Sequence, residues 1–244
     1  MANYTRRDTL KNITSGLAGV AIVSAITPRP ALAQSQVTIP NAFTINHEIV
    51  PLGFEPGKLE GLSEKLITSH WQNNYGGSVK ALNIIRQRLR DALADDNLPA
   101  YIYNDLKREH LLRTGSVVLH EYYFDNLSPP TDHDSELDHL LTQAFGSVNS
   151  WDKEFRRIGT GLGGGSGWVM LAWNIHTKTL ENYWTWDHMH SPVASIPILV
   201  MDMYEHSYQM DYGANAVQYI DAFMKNINWT KVALRLNNAI TLKL

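Results

Sequence analysis

The sequence predicts an α+β protein, an N-terminal long-helix hairpin followed by a small three-stranded antiparallel sheet with flanking helices. Three observations carry this. Apolar residues recur at helical spacing from Leu59 to Leu93 and again from about Asn104 to Tyr123, with Asp95-Asp96-Asn97 and Pro99 between the runs; two long helices joined by a short loop form a hairpin. After Pro129-Pro130 the texture changes to shorter elements, which places a domain boundary near Pro130. Trp168–Asn174, Leu180–Trp186 and Pro192–Met201 are then apolar or aromatic runs of strand length, bounded by turn residues.

Taken in order, the first helical run puts Leu59, Leu62, Leu66 and Ile67 on one face and continues through His70, Trp71, Tyr75, Val79, Leu82, Ile85 and Leu89. Gly76-Gly77 is expected to bend or break it, each glycine costing about 1 kcal/mol relative to alanine. Asp125-Asn126-Leu127-Ser128-Pro129-Pro130 ends the second helix. Ser135 to Phe145 and Trp151 to Gly159 read as short amphipathic helices. Gly161-Leu-Gly-Gly-Gly-Ser-Gly167 lacks the lysine and hydroxyl of a phosphate loop and reads as a tight turn into the first strand. Val217 to Asn228 and Trp229 to Asn238 close the chain as helices.

The 244 residues carry a formal charge of −3, seven Trp, eleven Tyr, ten His and no Cys. That is the composition of a near-neutral, aromatic-rich globular protein with no basic bias towards nucleic acid. Residues 1–33 read as an export signal: Thr5-Arg6-Arg7-Asp8-Thr9-Leu10-Lys11 is a twin-arginine pattern, Gly16 to Ile26 a mild apolar run, and Ala31-Leu32-Ala33 an A-x-A cleavage site. The run is short and rich in small residues, so cleavage is favoured over a retained membrane anchor. The expected mature protein starts near Gln34, is delivered to the periplasm by the twin-arginine machinery, and has no membrane attachment after cleavage. Its domains would be 34–130, the helical hairpin, and 131–244, the α+β domain.

The candidate site is Asp202-Met-Tyr-Glu-His206. A carboxylate and an imidazole four residues apart converge on one cation where the backbone is helical. Ile196-Pro-Ile-Leu-Val-Met201 leads directly into Asp202, so the acid stands at the end of a buried run and needs a partner. A metal of borderline or hard character is one such partner, and no cysteine is present to favour softer ions.

Five motifs in order resemble the iron/manganese superoxide dismutase family from about residue 59 to 238. Asp202-Met-Tyr-Glu-His-Ser-Tyr208 is similar to D-x-W-E-H-A-Y, and Gly165-Ser-Gly-Trp168 to Gly-Ser-Gly-Trp. Leu119-His-Glu-Tyr-Tyr-Phe124 resembles the second-helix ligand motif, and His70 precedes Val79-Lys-Ala-Leu-Asn83 at the first-helix spacing. Tyr219-Ile-Asp-Ala-Phe223 with Asn228-Trp229 resembles the C-terminal motif. The resemblance implies one Fe or Mn ion per subunit held by His70, His120, Asp202 and His206. It implies the disproportionation of superoxide to dioxygen and hydrogen peroxide, and a homodimer in which Glu205 reaches His206 of the partner.

The sequence departs from the family around that site. The first-helix H-x-x-x-H-x-x-x-Y becomes His70, Asn74 and Ser78, so the histidine and tyrosine of the entrance are absent; Tyr75 is the neighbouring substitute. Tyr204 and Met170 stand where tryptophans are common, and Ser116 cannot act as the glutamine found four residues before the second ligand. His188, in Trp186-Asp-His-Met189, is the candidate to bond the metal's solvent ligand, with His190 competing; a His-x-His pair on a strand could also bind metal itself. Asn74 and Gln209 replace both members of an intersubunit histidine–tyrosine pair and could rebuild that bond as two amides. The competing function is a metal-binding protein on the same fold with weak or lost activity. A di-iron bundle needs two Glu-x-x-His elements, and only Glu136-Leu-Asp-His139 fits.

Overall fold

Ser63 begins the first long helical run by accepting a hydrogen bond from the Leu66 N–H, a helix cap. In the computed structural model, which describes residues 41–242, the run is α1 (Glu64–Ser69), a π-helical segment (His70–Tyr75) and α2 (Gly76–Leu93) without a break. The export signal, its cleavage site and the mature start at Gln34 lie outside the described residues. The bend expected at Gly76-Gly77 does not occur: Gly76 is helical, with φ −61° and ψ −35°. The irregularity comes one turn earlier, where i→i+5 bonding widens the helix and brings His70 and Tyr75 to one buried side.

The hairpin is completed by α3 (Ala100–Asp125), which starts directly after Pro99. Ahead of it, residues 45–50 run as a strap along α2. Asn83 exchanges two hydrogen bonds with the backbone of His47, each 2.9 Å, Arg86 Nη1 donates to the Ile45 carbonyl at 3.0 Å, and Trp71 Nε1 to the Val50 carbonyl at 2.9 Å.

Past Pro130 come α4 (Ser135–Phe145), capped by Asp134, and α5 (Val148–Leu162), capped by Ser147. The sheet is β1 (Trp168–Asn174), β2 (Thr179–Thr185) and β3 (Ser195–Asp202), antiparallel in the order β2-β1-β3. β1 needs the approach through Gly167: at φ 143°, an added Cβ would lie 2.2 Å from the Thr185 carbonyl oxygen. Pro197 is tolerated in β3 because that strand is an edge and slips register opposite Leu171 and Ala172. A 3-10 turn (Glu205–Ser207), α6 (Gln209–Tyr212), α7 (Ala216–Lys225) and α8 (Trp229–Thr241) follow.

The described residues fall within one compact unit, and the texture change at Pro130 is the connection from α3 to α4. Two buried asparagines fasten the hairpin to the sheet and to the last helices. Asn126 accepts from the Val200 N–H at 2.9 Å through its side chain and from the Asn228 N–H at 2.7 Å through its carbonyl. Asn226 exchanges hydrogen bonds with both backbone groups of Glu60, at 2.8 and 2.7 Å. Asn126→Ala would orphan the buried Val200 N–H, an expected loss of about 1–3 kcal/mol. Denaturant unfolding should show the lower midpoint at an unchanged m-value; a midpoint equal to the parent's would mean that water replaces the amide.

Candidate metal centre

Four elements bring one side chain each to a common point. His70 opens the π segment, His120 lies in the last turns of α3, Asp202 ends β3 and His206 sits in the 3-10 turn. Asp202 stands at the end of the buried strand as expected, and the helical backbone on which its convergence with His206 depends is a single 3-10 turn reached as the chain leaves the strand and reverses. The Tyr204 N–H donates to Asp202 Oδ1 at 2.8 Å, which starts that reversal, and the Asp202 carbonyl accepts from Tyr219 at 2.6 Å and Ser207 at 2.9 Å.

Around Asp202 Oδ2 lie His70 Nε2 at 3.1 Å, His206 Nε2 at 3.2 Å and His120 Nε2 at 3.6 Å, and the four ligand atoms are all within 4.8 Å of one another. Ligand atoms set 90–120° apart on bonds of about 2.1 Å are separated by about 3.0–3.6 Å. The approach of His70 is one of distance only: both of its ring nitrogens and His120 Nε2 are buried without a hydrogen-bond partner. His120 Nδ1 lies 2.6 Å from the Ser116 carbonyl, so it carries the hydrogen and leaves Nε2 as a bare lone pair aimed at the carboxylate. Buried polar atoms left unpaired are costly, and a cation among them removes that cost. The residues therefore fit a bound metal.

Electrostatics agree with the geometry. Burial pushes His70 below its usual range and His120 down to about 3, in spite of the nearby carboxylate. For Asp202, burial alone would raise the carboxyl, but the charge and hydrogen bond of His206 and the proximity of His70 outweigh it and hold the group well below the carboxylate range. With a multiply charged cation bound, the three imidazoles would be neutral and, with one carboxylate, would leave that charge partly uncompensated, which would draw in anions.

A cavity of about 460 Å³ opens onto His120 and His206, lined by Asn74, Ser78, Arg113, Ser116, His188 and Tyr204 among others. A larger hollow of about 730 Å³ by Gly61, Ser63 and Asp211 is further open and contains none of these imidazoles, so chemistry rather than size selects the site. Arg113 brings a fixed positive charge; its nearest carboxylate, Glu109, is 3.5 Å away on the next turn of α3.

His188 and His190 do not share a direction, because they lie in the loop after β2 and not on the strand. His188 faces the cavity: Trp168 Nε1 donates to its Nδ1 at 3.1 Å, and its ring stacks on Tyr204 with centroids 4.5 Å apart. Burial pushes it down to about 4, so the neutral ring keeps its hydrogen on Nε2. Its loop presses on α3 at Gly115, where an added Cβ would lie 1.8 Å from the His188 carbonyl oxygen. His190 pairs with Asp187 at 2.7 Å on the exposed side.

Tyr75 does not take the missing place at the entrance. Its hydroxyl donates to Glu121 Oε1 and accepts from the Val50 N–H, each at 2.8 Å, and the side chain is absent from the cavity lining. Glu121 also holds His47 Nε2 at 2.6 Å, so Tyr75 ties the strap to α3. Asn74 lies in the cavity wall, while Glu205 and Gln209 are exposed on the following turn and helix. Sequence reasoning passed over Arg113 as a lining charge; its spacing of seven residues before His120 placed it on the same helical face.

Residues 133–235 match the family model described as iron/manganese superoxide dismutases, C-terminal domain. A superoxide dismutase [Fe] of Cupriavidus metallidurans is 50% identical over 194 residues, covering 80% of this chain and 98% of the relative. The chain belongs to the iron/manganese superoxide dismutase family. Among further relatives in it, a superoxide dismutase [Fe] of Aquifex aeolicus is 31% identical over 202 residues, 80% of this chain and 93% of its own. A superoxide dismutase [Mn] 2 of Haloferax volcanii is 28% identical over 206 residues, 81% and 99%.

For this family member the buried histidines set a pH response. His120 and His188 bind their protons more weakly folded than unfolded, so the metal-free protein has its full stability above about pH 6.5. Stability falls as pH drops through the window down to about 4 for His188 and about 3 for His120. Each contributes about 1.4 kcal/mol per pH unit inside its window. Unfolding midpoints of the metal-free protein between pH 7 and 4 should decline accordingly; a flat profile would contradict the neutral assignment.

Proposed function

We propose that this chain is a superoxide dismutase that holds one Fe or Mn ion with His70, His120, Asp202 and His206. The observation that carries it is the convergence of three imidazoles on one buried carboxylate, with two imidazole Nε2 atoms left unpartnered. When bound, the metal supplies the one-electron chemistry by which two superoxide ions and two protons become dioxygen and hydrogen peroxide. The chain does the rest. Arg113 attracts the anion to the cavity, the more so at low ionic strength. His188, fixed at Nδ1 by Trp168 and stacked on Tyr204 in the cavity wall, keeps its Nε2–H as a donor for a group bound there. The His120 tautomer is set by the Ser116 carbonyl, which also stiffens the ring. Metal analysis together with superoxide consumption tests the reading. The parent should carry about one ion per chain and remove superoxide, while His120→Ala should lose both; full occupancy in that variant would overturn the ligand set. A loaded parent that leaves superoxide untouched would favour a metal-binding protein without turnover.

The chain is further proposed to act as a symmetric homodimer, Glu205 pairing with His206 of the partner subunit and Asn74 lying near Gln209 of the partner subunit. The exposure of Glu205 and Gln209 beside the ligand turn supports this. Sedimentation at micromolar concentration should give twice the chain mass, with Glu205→Ala shifted towards monomer; a monomeric parent removes the proposal. The twin-arginine and A-x-A patterns support export to the periplasm. N-terminal sequencing of the exported protein should begin near Gln34, and recovery of Met1 or Ala2 counts against it.

A further inference from the structure

The floor of the cavity carries two hydroxyls whose directions follow from their neighbours. Ser78, on α2, and Ser116, on α3, face each other Oγ to Oγ at 2.8 Å, and both are buried. Ser116 Oγ is also 3.3 Å from His120 Nδ1. That nitrogen must carry a hydrogen, because the Ser116 carbonyl 2.6 Å away can only accept. A hydrogen on Nδ1 leaves Ser116 no acceptor on that side, and among the described residues Ser78 Oγ is the remaining acceptor within reach of its hydroxyl hydrogen. Ser78, having accepted, is left with its own hydrogen to donate. Among the described residues Ser116 is its sole hydrogen-bond partner, and Ser78 lines the cavity together with His120 and His206.

The reverse order, Ser78 to Ser116 to the imidazole, would require a bare lone pair on Nδ1 and is ruled out by the carbonyl. The chain of hydrogens therefore runs outwards from His120 and ends in the cavity. We propose that the Ser78 hydroxyl is a hydrogen-bond donor to the small anion that enters this cavity, and that Ser116 is a positioning residue that holds the donor in that direction. Its identification of the anion as superoxide rests on the dismutase reading; the donor itself would serve any small anion brought to the same place.

Azide is the probe. Each variant is loaded with iron, its metal content measured, and azide binding followed by visible absorption alongside the rate of superoxide consumption. Ser78→Ala should weaken azide binding about tenfold, as expected for loss of a hydrogen bond to a charged group. Ser116→Ala, which keeps the donor but removes its direction, should weaken it about threefold, and Ser78→Thr, which keeps a hydroxyl, should stay within about twofold of the parent. Azide affinity in Ser78→Ala equal to the parent's, or Ser78→Thr failing as badly as Ser78→Ala at full metal content, overturns the proposal. Should Ser78→Ala fail to load iron, unchanged affinity in Ser116→Ala overturns it instead. A parent that binds iron and azide yet leaves superoxide untouched defeats the dismutase reading, while the azide titration still decides Ser78.

Discussion

The carboxylate of Asp202 is the constraint from which the rest of the structure takes its shape. It is fully buried at the end of an edge strand, where an unpartnered charge is not tolerated. Its backbone carbonyl is held by α7 and by the following turn, its Oδ1 by the Tyr204 N–H, and its Oδ2 faces imidazoles from α3, the π segment and the 3-10 turn. Sheet, hairpin and C-terminal helices thus meet on one group. A cation held there would neutralise the charge and tie them together, which would couple metal binding to folding.

Much of this was legible in the sequence, for reasons that differ by element. β1 and α4 could be read to the residue because glycines or a capping aspartate bound them and their apolar pattern is uninterrupted. The ligand set could be read because few side chains hold such an ion, and the family's motifs fix their order. The π segment left no trace: one extra residue in a turn shifts hydrogen bonds without disturbing the apolar pattern that marks a helix. The glycine pair that looked like a break stays helical, and an added Cβ at Gly76 would lie 3.4 Å from Ile49 of the strap.

Directions of side chains were harder to read than their positions. Tyr75 sits next to the expected entrance residues, yet its hydroxyl is taken by Glu121 and Val50, partners 46 and 25 residues away in the chain. His188 and His190 differ only by which neighbour claims each ring, Trp168 or Asp187. Such pairings are long-range or lie in loops, where spacing carries no period. Ser116 was dismissed as unable to replace a glutamine, and so it is; its importance comes from the short reach across the hairpin to Ser78.

The strap over α2 has a mechanical consequence. Its bonds fall on Asn83, Arg86 and Trp71, with Glu121 and Tyr75 behind them, and none falls on a residue of the ligand cluster. A pull on the chain upstream of Ile45 would therefore be borne in shear by the outer face of the hairpin. Two of those anchors, Trp71 and Tyr75, belong to the π segment, so tension on the strap would reach the helical turn that carries His70 through its immediate neighbours.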